Sequence, residues 1–293
     1  MKKDREGLVA SLFFTPFGIL FMLFTIIPVV VAVVLSFSTY SVLEDPIWIG
    51  FQNFQSIFTQ DTLFITALKN TLLFAFFSGP IGYIVSFIVA WVINTLKAKK
   101  FFSLMFYAPS ITSGLAMGVV WLYFFSPDRY GFINNFLAQN GFISDPILWT
   151  QDPAMILFIV VIVSVWMGMG NGFLAFLAGF QSMPTEVYEA AKIDGIRNKF
   201  QELVYITLPM MKPMLLFGAI NTVAGSLGVY EIPMTLAGSP GPANAALTLV
   251  GHLNDYAFVR MDLGYGSAIA VVLFGITFIL GRIIFTVLGS KDE

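Results

Sequence analysis

Charge is missing from six long stretches of this chain, and that spacing limits what it can fold into more than any other feature. No Asp, Glu, Lys or Arg lies between Glu6 and Glu44, Lys69 and Lys97, Lys100 and Asp128, Asp152 and Glu186, Lys212 and Glu231, or Asp262 and Arg282. Crossing a hydrocarbon core takes about 20 mostly apolar residues in a helix, and each gap is of that order. Charged residues make up only 11% of the 293, against about 25% in soluble domains, so the chain cannot clothe a water-facing surface. The expectation is an all-α membrane protein with six transmembrane helices, near 10–38, 70–95, 103–125, 154–180, 206–230 and 264–288.

A seventh low-charge stretch, Ile232 to Asn254, contains Gly238-Ser239-Pro240-Gly241-Pro242. Backbone groups freed by those residues could not be satisfied against lipid, so the stretch reads as an external loop, with His252 as a solvated loop residue. The first apolar run exceeds the length of a secretory h-region and no small-residue cleavage site follows it, so it reads as a retained span. Twelve of the 15 Lys and Arg residues fall on one side of the six-helix arrangement, leaving Lys69, Arg129 and Arg260 on the other. Positive charge marks the cytoplasmic side, which places both termini there. Phe51, Phe54 and Phe58 recur at helical spacing and suggest an interfacial helix on the outer face. Trp48, Trp149 and Tyr130 suit the headgroup level.

The cores of the expected spans hold no Asp, Glu, Lys, Arg or His, and Glu231 falls at the outer end of its helix. Proton-coupled transport needs such groups at mid-membrane and is disfavoured. The chain has no cysteine and one histidine, so thiolate metal sites, cysteine nucleophiles and histidine-based acid–base chemistry lack raw material. No site for a metal or a cofactor of its own is expected, and no nucleic-acid partner. A phosphate-binding Gly-x-x-x-x-Gly-Lys loop is also missing, so energy for uphill transport must come from another subunit. Among polar residues within the spans, Asn171, Asn221, Thr222, Ser226 and Tyr230 are candidates for a substrate pathway. Asn221, Thr222 and Ser226 fall roughly on one side of the fifth helix, and helix–helix hydrogen bonding is the alternative for each. For Gly168, Gly170 and Gly172, and for Gly114 and Gly118, close packing and local unwinding both stay open. Gly79-Pro80 should kink the second helix.

Between the fourth and fifth spans lies the only long cytoplasmic loop. Pro184 suits the first position of a helix, Glu186 and Glu189 favour its positive end, and Gly195 can end it in a left-handed conformation. Val187, Ala190, Ala191 and Asp194 share one face, and the two alanines would let the helix seat closely on another surface.

Glu189-Ala190-Ala191, three residues, Gly195, and later Ile206-x-Leu208-Pro209 resemble the EAA signature of permeases from ATP-binding-cassette importers. The likeness to their carbohydrate-uptake class runs almost end to end. It includes Ser36-Phe37-Ser38, Gly50-Phe51-Gln52-Asn53-Phe54, Asn70-Thr71, Leu177 to Gln181 with Pro184, Gly238 to Pro242, and Leu263-Gly264-Tyr265. The resemblance implies a type I importer permease fold, with 1–293 as a single transmembrane domain and 182–209 as a cytoplasmic coupling loop. It implies a second, different permease subunit, an ATPase subunit dimer carrying ATP and Mg, and an extracellular or periplasmic solute-binding protein, in a bacterial or archaeal plasma (inner) membrane. Glu189, Ala190, Ala191, Asp194 and Gly195 would contact the ATPase, and Leu208-Pro209 would turn the chain back into the bilayer. Ten residues separate Gly195 from Ile206, one more than the family pattern, and the turn near Arg197-Asn198 is the expected place for the extra residue. The implied cargo is a sugar or oligosaccharide. Glycerol phosphate is the alternative within the family, and an ATP-independent channel lies outside it.

Overall fold

The structure, a computed structural model, describes residues 2–238 and 240–289, with the side-chain surroundings of all of these except 2–11 and 171. Helix α1 (Lys2–Phe21) passes through a π turn (Met22–Ile26) into α2 (Ile27–Leu35). Two short antiparallel strands follow, β1 (Ser38–Thr39) and β2 (Ile47–Trp48), then α3 (Gln52–Thr59) and α4 (Thr62–Thr95). Next come α5 (Lys99–Ile111), α6 (Gly114–Phe124), α7 (Phe132–Gln139) and α8 (Pro153–Gln181). The loop helix α9 (Thr185–Ile193) precedes α10 (Lys199–Glu202), a second π turn (Leu203–Thr207), α11 (Leu208–Met210) and α12 (Lys212–Leu227). The chain ends through α13 (Glu231–Ala237), a 3-10 turn (Pro242–Asn244), α14 (Leu249–Asn254), a third π turn (Asp255–Val259) and α15 (Leu263–Leu288).

Four segments are long and apolar enough to cross a membrane: Leu12–Leu35, Thr62–Thr95, Pro153–Gln181 and Leu263–Leu288. The other two crossings are bent pairs, α5 with α6 at 98°, and Lys199–Met210 with α12 at 78°, which brings the crossings to six. Straight spans were expected in both places. The first bend follows from Thr112 and Ser113, whose ψ of 142° and 129° are extended rather than helical. The second falls at Met211, between Pro209 and Pro213, each lacking the N–H that a continuous helix needs. By contrast α4 runs unbroken through Pro80, and α8 unbroken through Gly168, Gly170 and Gly172, so those glycines do not unwind the helix. The second span also starts at Thr62 rather than near residue 70.

The chain forms two compact units. The first comprises residues 1–62 and 253–274. Here the amide of Asn53 on α3 donates to the carbonyls of Ser36 (3.0 Å) and Ser38 (2.9 Å). Phe37 stacks on Trp48 with centroids 5.5 Å apart and meets Phe51 and Phe54. The Gly264 N–H bonds the Tyr40 carbonyl, and the Tyr265 hydroxyl donates to Asp61 at 2.9 Å. Arg260 pairs with Asp255 at 2.7 Å and lies 4.3 Å over the Tyr256 ring. Burial, reinforced by the Asp61 carboxylate, pushes the Tyr256 phenol above its usual range.

The second unit comprises 63–252 and 275–293. Its axis is α8, started by Asp152, whose carboxylate accepts the Ala154 N–H at 2.8 Å, with Pro153 at the first helical position. One apolar cluster joins Phe74, Phe125, Ile156, Ile159, Val163 and Leu236. A second joins Ala90, Phe173, Phe176, Phe180, Leu203 and Met211. Glycines admit the neighbours: a Cβ on Gly170 would collide with Ser110 of α5, and one on Gly218 would lie 2.6 Å from the Phe176 ring.

The stretch read as an external loop is built into this unit. Helix α13 packs on α6 and α8, and His252 is only 2% exposed, with its ring 6.4 Å from that of Phe64. Backbone groups just beyond the glycine–proline stretch find their partners in side chains of α4. The Asn70 amide donates to the carbonyls of Asn244 (2.8 Å) and Leu247 (3.1 Å), and the Thr71 hydroxyl accepts the Leu249 N–H at 2.8 Å. Ser239 lies outside the described residues.

Candidate functional site: a hydroxyl-lined cavity and a loop helix

Four of the five pathway candidates meet in one place. Asn221, Thr222, Ser226 and Tyr230 line a cavity of about 780 Å³ between α4, α5, α8, α12 and the start of α13. The side chain of Asn171 lies outside the described residues. The wall opposite α12 is completed by groups not singled out from sequence: Ser78, Ser86, Ser110, Thr112 and Ser164. Ser78, Gly82 and Ser86 recur every four residues along α4, a stripe of small side chains on one helix face that was readable in advance. Gly168 and Gly172 also face the cavity, and neither would bury an added Cβ in a clash.

What these hydroxyls can do depends on where their protons go. Thr222 donates to the Gly218 carbonyl (2.8 Å), Ser226 to Val223 (3.0 Å), Ser110 to Tyr107 (2.8 Å), Thr112 to Ala108 (2.9 Å) and Ser86 to Met169 (3.3 Å). Each has spent its one proton on backbone and offers lone pairs to the cavity. The Ser78 and Ser164 hydroxyl oxygens are buried with no partner among the described residues, and Asn221 keeps a second amide proton to give. Glu231 adds a carboxylate to the lining, and the lining holds no lysine, arginine or histidine. The surface is therefore rich in acceptors, with a few donors.

The loop helix α9 ends as its sequence directs. Gly195 has φ of +98°, with its N–H on the Lys192 carbonyl, and the Ile196 N–H bonds the Ala191 carbonyl at 3.0 Å. This is the paired-bond C-terminal motif that favours glycine. The expected shared face divides in two. Ala191 is 7% exposed and seated in its own chain, whereas Glu189, Ala190 and Asp194 are exposed beside Ile193, which is 86% exposed. The reason is the helical period: Ala191 lies in line with Val187 and Tyr188, which also turn inward, and Ala190 points about 100° away. Leu208 is half-buried and Pro209 exposed at the start of the helical turn that leads to the bend.

Beyond α9 the loop carries one ordinary cap and one wide turn. Asn198 caps α10 in ordinary fashion, its side chain accepting the Gln201 N–H at 2.8 Å. The wide turn comes later, at Leu203–Thr207, where the Leu208 N–H reaches back to the Leu203 carbonyl. Such a turn is the form an α-helix takes when it carries one residue more than its usual repeat.

This chain matches, over residues 80–291, the family described as binding-protein-dependent transport system inner membrane component. It is 33% identical over 292 residues to the probable ABC transporter permease protein YesP of Bacillus subtilis (strain 168), covering 97% of this chain and 93% of that one. It is 30% identical to the arabinooligosaccharides transport system permease protein AraP of the same organism, covering 95% and 88%. Its fold is that of a chain in the crystal structure of a bacterial ABC transporter involved in the import of the acidic polysaccharide alginate (TM-score 0.83, 22% identity, 100% of this chain and 99% of that one). With the bent spans, the cavity and the loop helix laid out, these matches show that the chain belongs to the binding-protein-dependent inner membrane components, the permeases of ABC importers, and is a transport subunit rather than an enzyme.

Proposed function

We propose that this chain forms half of the pathway by which an ATP-driven importer carries a neutral, hydroxyl-rich solute, a sugar or oligosaccharide, across a bacterial inner membrane. The observation that carries the cargo is the lining of the cavity. A sugar presents many O–H donors, and five side-chain hydroxyls there have already given their protons to backbone. A phosphate ester brings only acceptors on its charged end. It would meet lone pairs and the Glu231 carboxylate where it needs donors. The name of the arabinooligosaccharide relative supports the same class.

In this reading 1–293 is a single permease domain that pairs with a second, different permease subunit. The termini and the 182–209 loop are cytoplasmic, and a solute-binding protein delivers cargo from outside. An ATPase dimer holds ATP and Mg. It receives the open face of α9 (Glu189, Ala190, Ile193, Asp194), with Gly195 ending the helix and Leu208-Pro209 turning the chain inward. Ala191 seats the helix on its own chain. The binding protein encoded with this chain, titrated calorimetrically against arabino-, malto- and chito-oligosaccharides and glycerol 3-phosphate, should give a saturable heat of binding only with a neutral saccharide. Tight binding of glycerol 3-phosphate alone would overturn the cargo assignment.

A further inference from the structure

We propose that the hydroxyl pair Tyr188–Thr207 is the mechanical link through which α9 moves the cavity helix α12. The proposal rests on α9 being the ATPase contact.

Among the described residues no element packs broadly against α9. Between it and the ends of α4 and α8 lies a cavity of about 500 Å³, with Tyr188, Thr207 and Glu202 in its wall. A load on α9 therefore has few routes inward. Beside the seat of Ala191 there is one defined contact, the Tyr188 hydroxyl, 3.0 Å from Thr207 Oγ1 and 2.8 Å from the Met183 sulfur. Thr207 is itself held fast. It is 3% exposed, and its hydroxyl reaches the Glu202 carbonyl at 3.1 Å across the wide turn.

From Thr207 the chain is helical up to the bend and packed there at Met211. Four residues on, Met211 is 1% exposed and lies close to Gly179 of α8, where a Cβ would fall 2.7 Å from its methyl. The 78° bend follows, and α12 then carries Thr222 and Ser226 to the lining. Tyr188 and Thr207 touch no solute. They are positioning residues, and breaking their contact should leave nucleotide turnover intact while slackening its hold on α12.

The chain has no cysteine, so one placed at Ala224, an exposed residue in the cavity wall, is the sole thiol of this chain, and its labelling is read on this subunit after the subunits are separated. The assembled transporter with Ala224→Cys is labelled with a cationic methanethiosulfonate, with and without ATP plus vanadate. The expected result is a nucleotide-dependent change in labelling rate. Tyr188→Phe or Thr207→Val should shrink that change about fivefold, the equivalent of one net hydrogen bond, with ATP hydrolysis retained. Thr207→Ser should restore it, and the double variant should be no worse than either single one. An undiminished change in both single variants overturns the link, as does a double variant equal to the product of the two. No change in the parent also overturns it, because α12 must move. A Glu189→Lys variant that leaves ATPase binding and labelling untouched would instead sink the underlying assignment of α9.

Discussion

Replacing Gly118 by alanine tests how tightly α6 and α13 are joined at the outer wall of the cavity. A Cβ built on Gly118 lies 2.6 Å from Thr235 Cγ2, 2.7 Å from its Cβ and 3.0 Å from its Oγ1. Carbon atoms in contact prefer about 3.5–4.0 Å. The methyl of Thr235 can swing aside by rotating χ1, but its Cβ is fixed to the α13 backbone. The two helices must therefore part by roughly 1 Å. Overpacking of that kind costs about 1–3 kcal/mol, offset by about 1 kcal/mol from alanine's better helix propensity. The net expectation is a loss centred on about 1 kcal/mol and no more than about 2, or roughly 2–4 °C in melting temperature at the centre at about 2–4 °C per kcal/mol. Trp121, on α6 and 5.3 Å from Trp166 by ring centroids, reports the transition by fluorescence in detergent. Thr235→Ala should rescue poorly because it keeps the Cβ, and Thr235→Gly should rescue well. Gly275→Ala, with nothing within 4 Å of the added atom, is the control and should be neutral or stabilising. Equal melting of Gly118→Ala and parent, or an equal fall for Gly275→Ala, would refute the packing argument.

Asn134 is fully buried, donating to the carbonyls of Ser126, Asp128 and Ile147 and accepting from the Ile147 N–H and Trp149 Nε1. Asn134→Ala should cost about 1–3 kcal/mol through stranded polar groups and make the 126–149 segment more sensitive to protease, read by limited digestion. Gly195→Val forces a branched side chain onto φ of +98°, a penalty of at least about 1–2 kcal/mol. It should fray the end of α9, seen as reduced co-purification of the ATPase with unchanged amounts of permease.

The apolar architecture was legible because six gaps in charge leave a polypeptide little choice of solvent. The first bend was not, since Thr112 and Ser113 carry no strong breaking signal; the second had one in Pro209 and Pro213, which was read only as the turn of the chain back into the bilayer. His252 was misplaced for a related reason: its polar surroundings looked like exposure to water, but Asn70 and Thr71, some 170 residues earlier in the chain, bond the backbone just before it at Asn244, Leu247 and Leu249. That pairing could not be read from either segment alone. At the cavity, α12 gave up its polar residues to simple helical spacing, whereas the serines of α4, α5 and α8 were passed over as packing residues. In α9 the period was sound. Which side of it would lie open depended on Tyr188 finding Thr207, a contact invisible to local pattern.

The π turn at Leu203–Thr207 has a consequence for how this connector tolerates evolution. An inserted residue in a rigid helix would swing everything downstream by about 100°, taking Thr222 and Ser226 away from the lumen. A widened loop of backbone returns that rotation before Met211 is reached. Residues gained or lost between α9 and this turn can thus be absorbed without re-aiming the side chains that line the cavity.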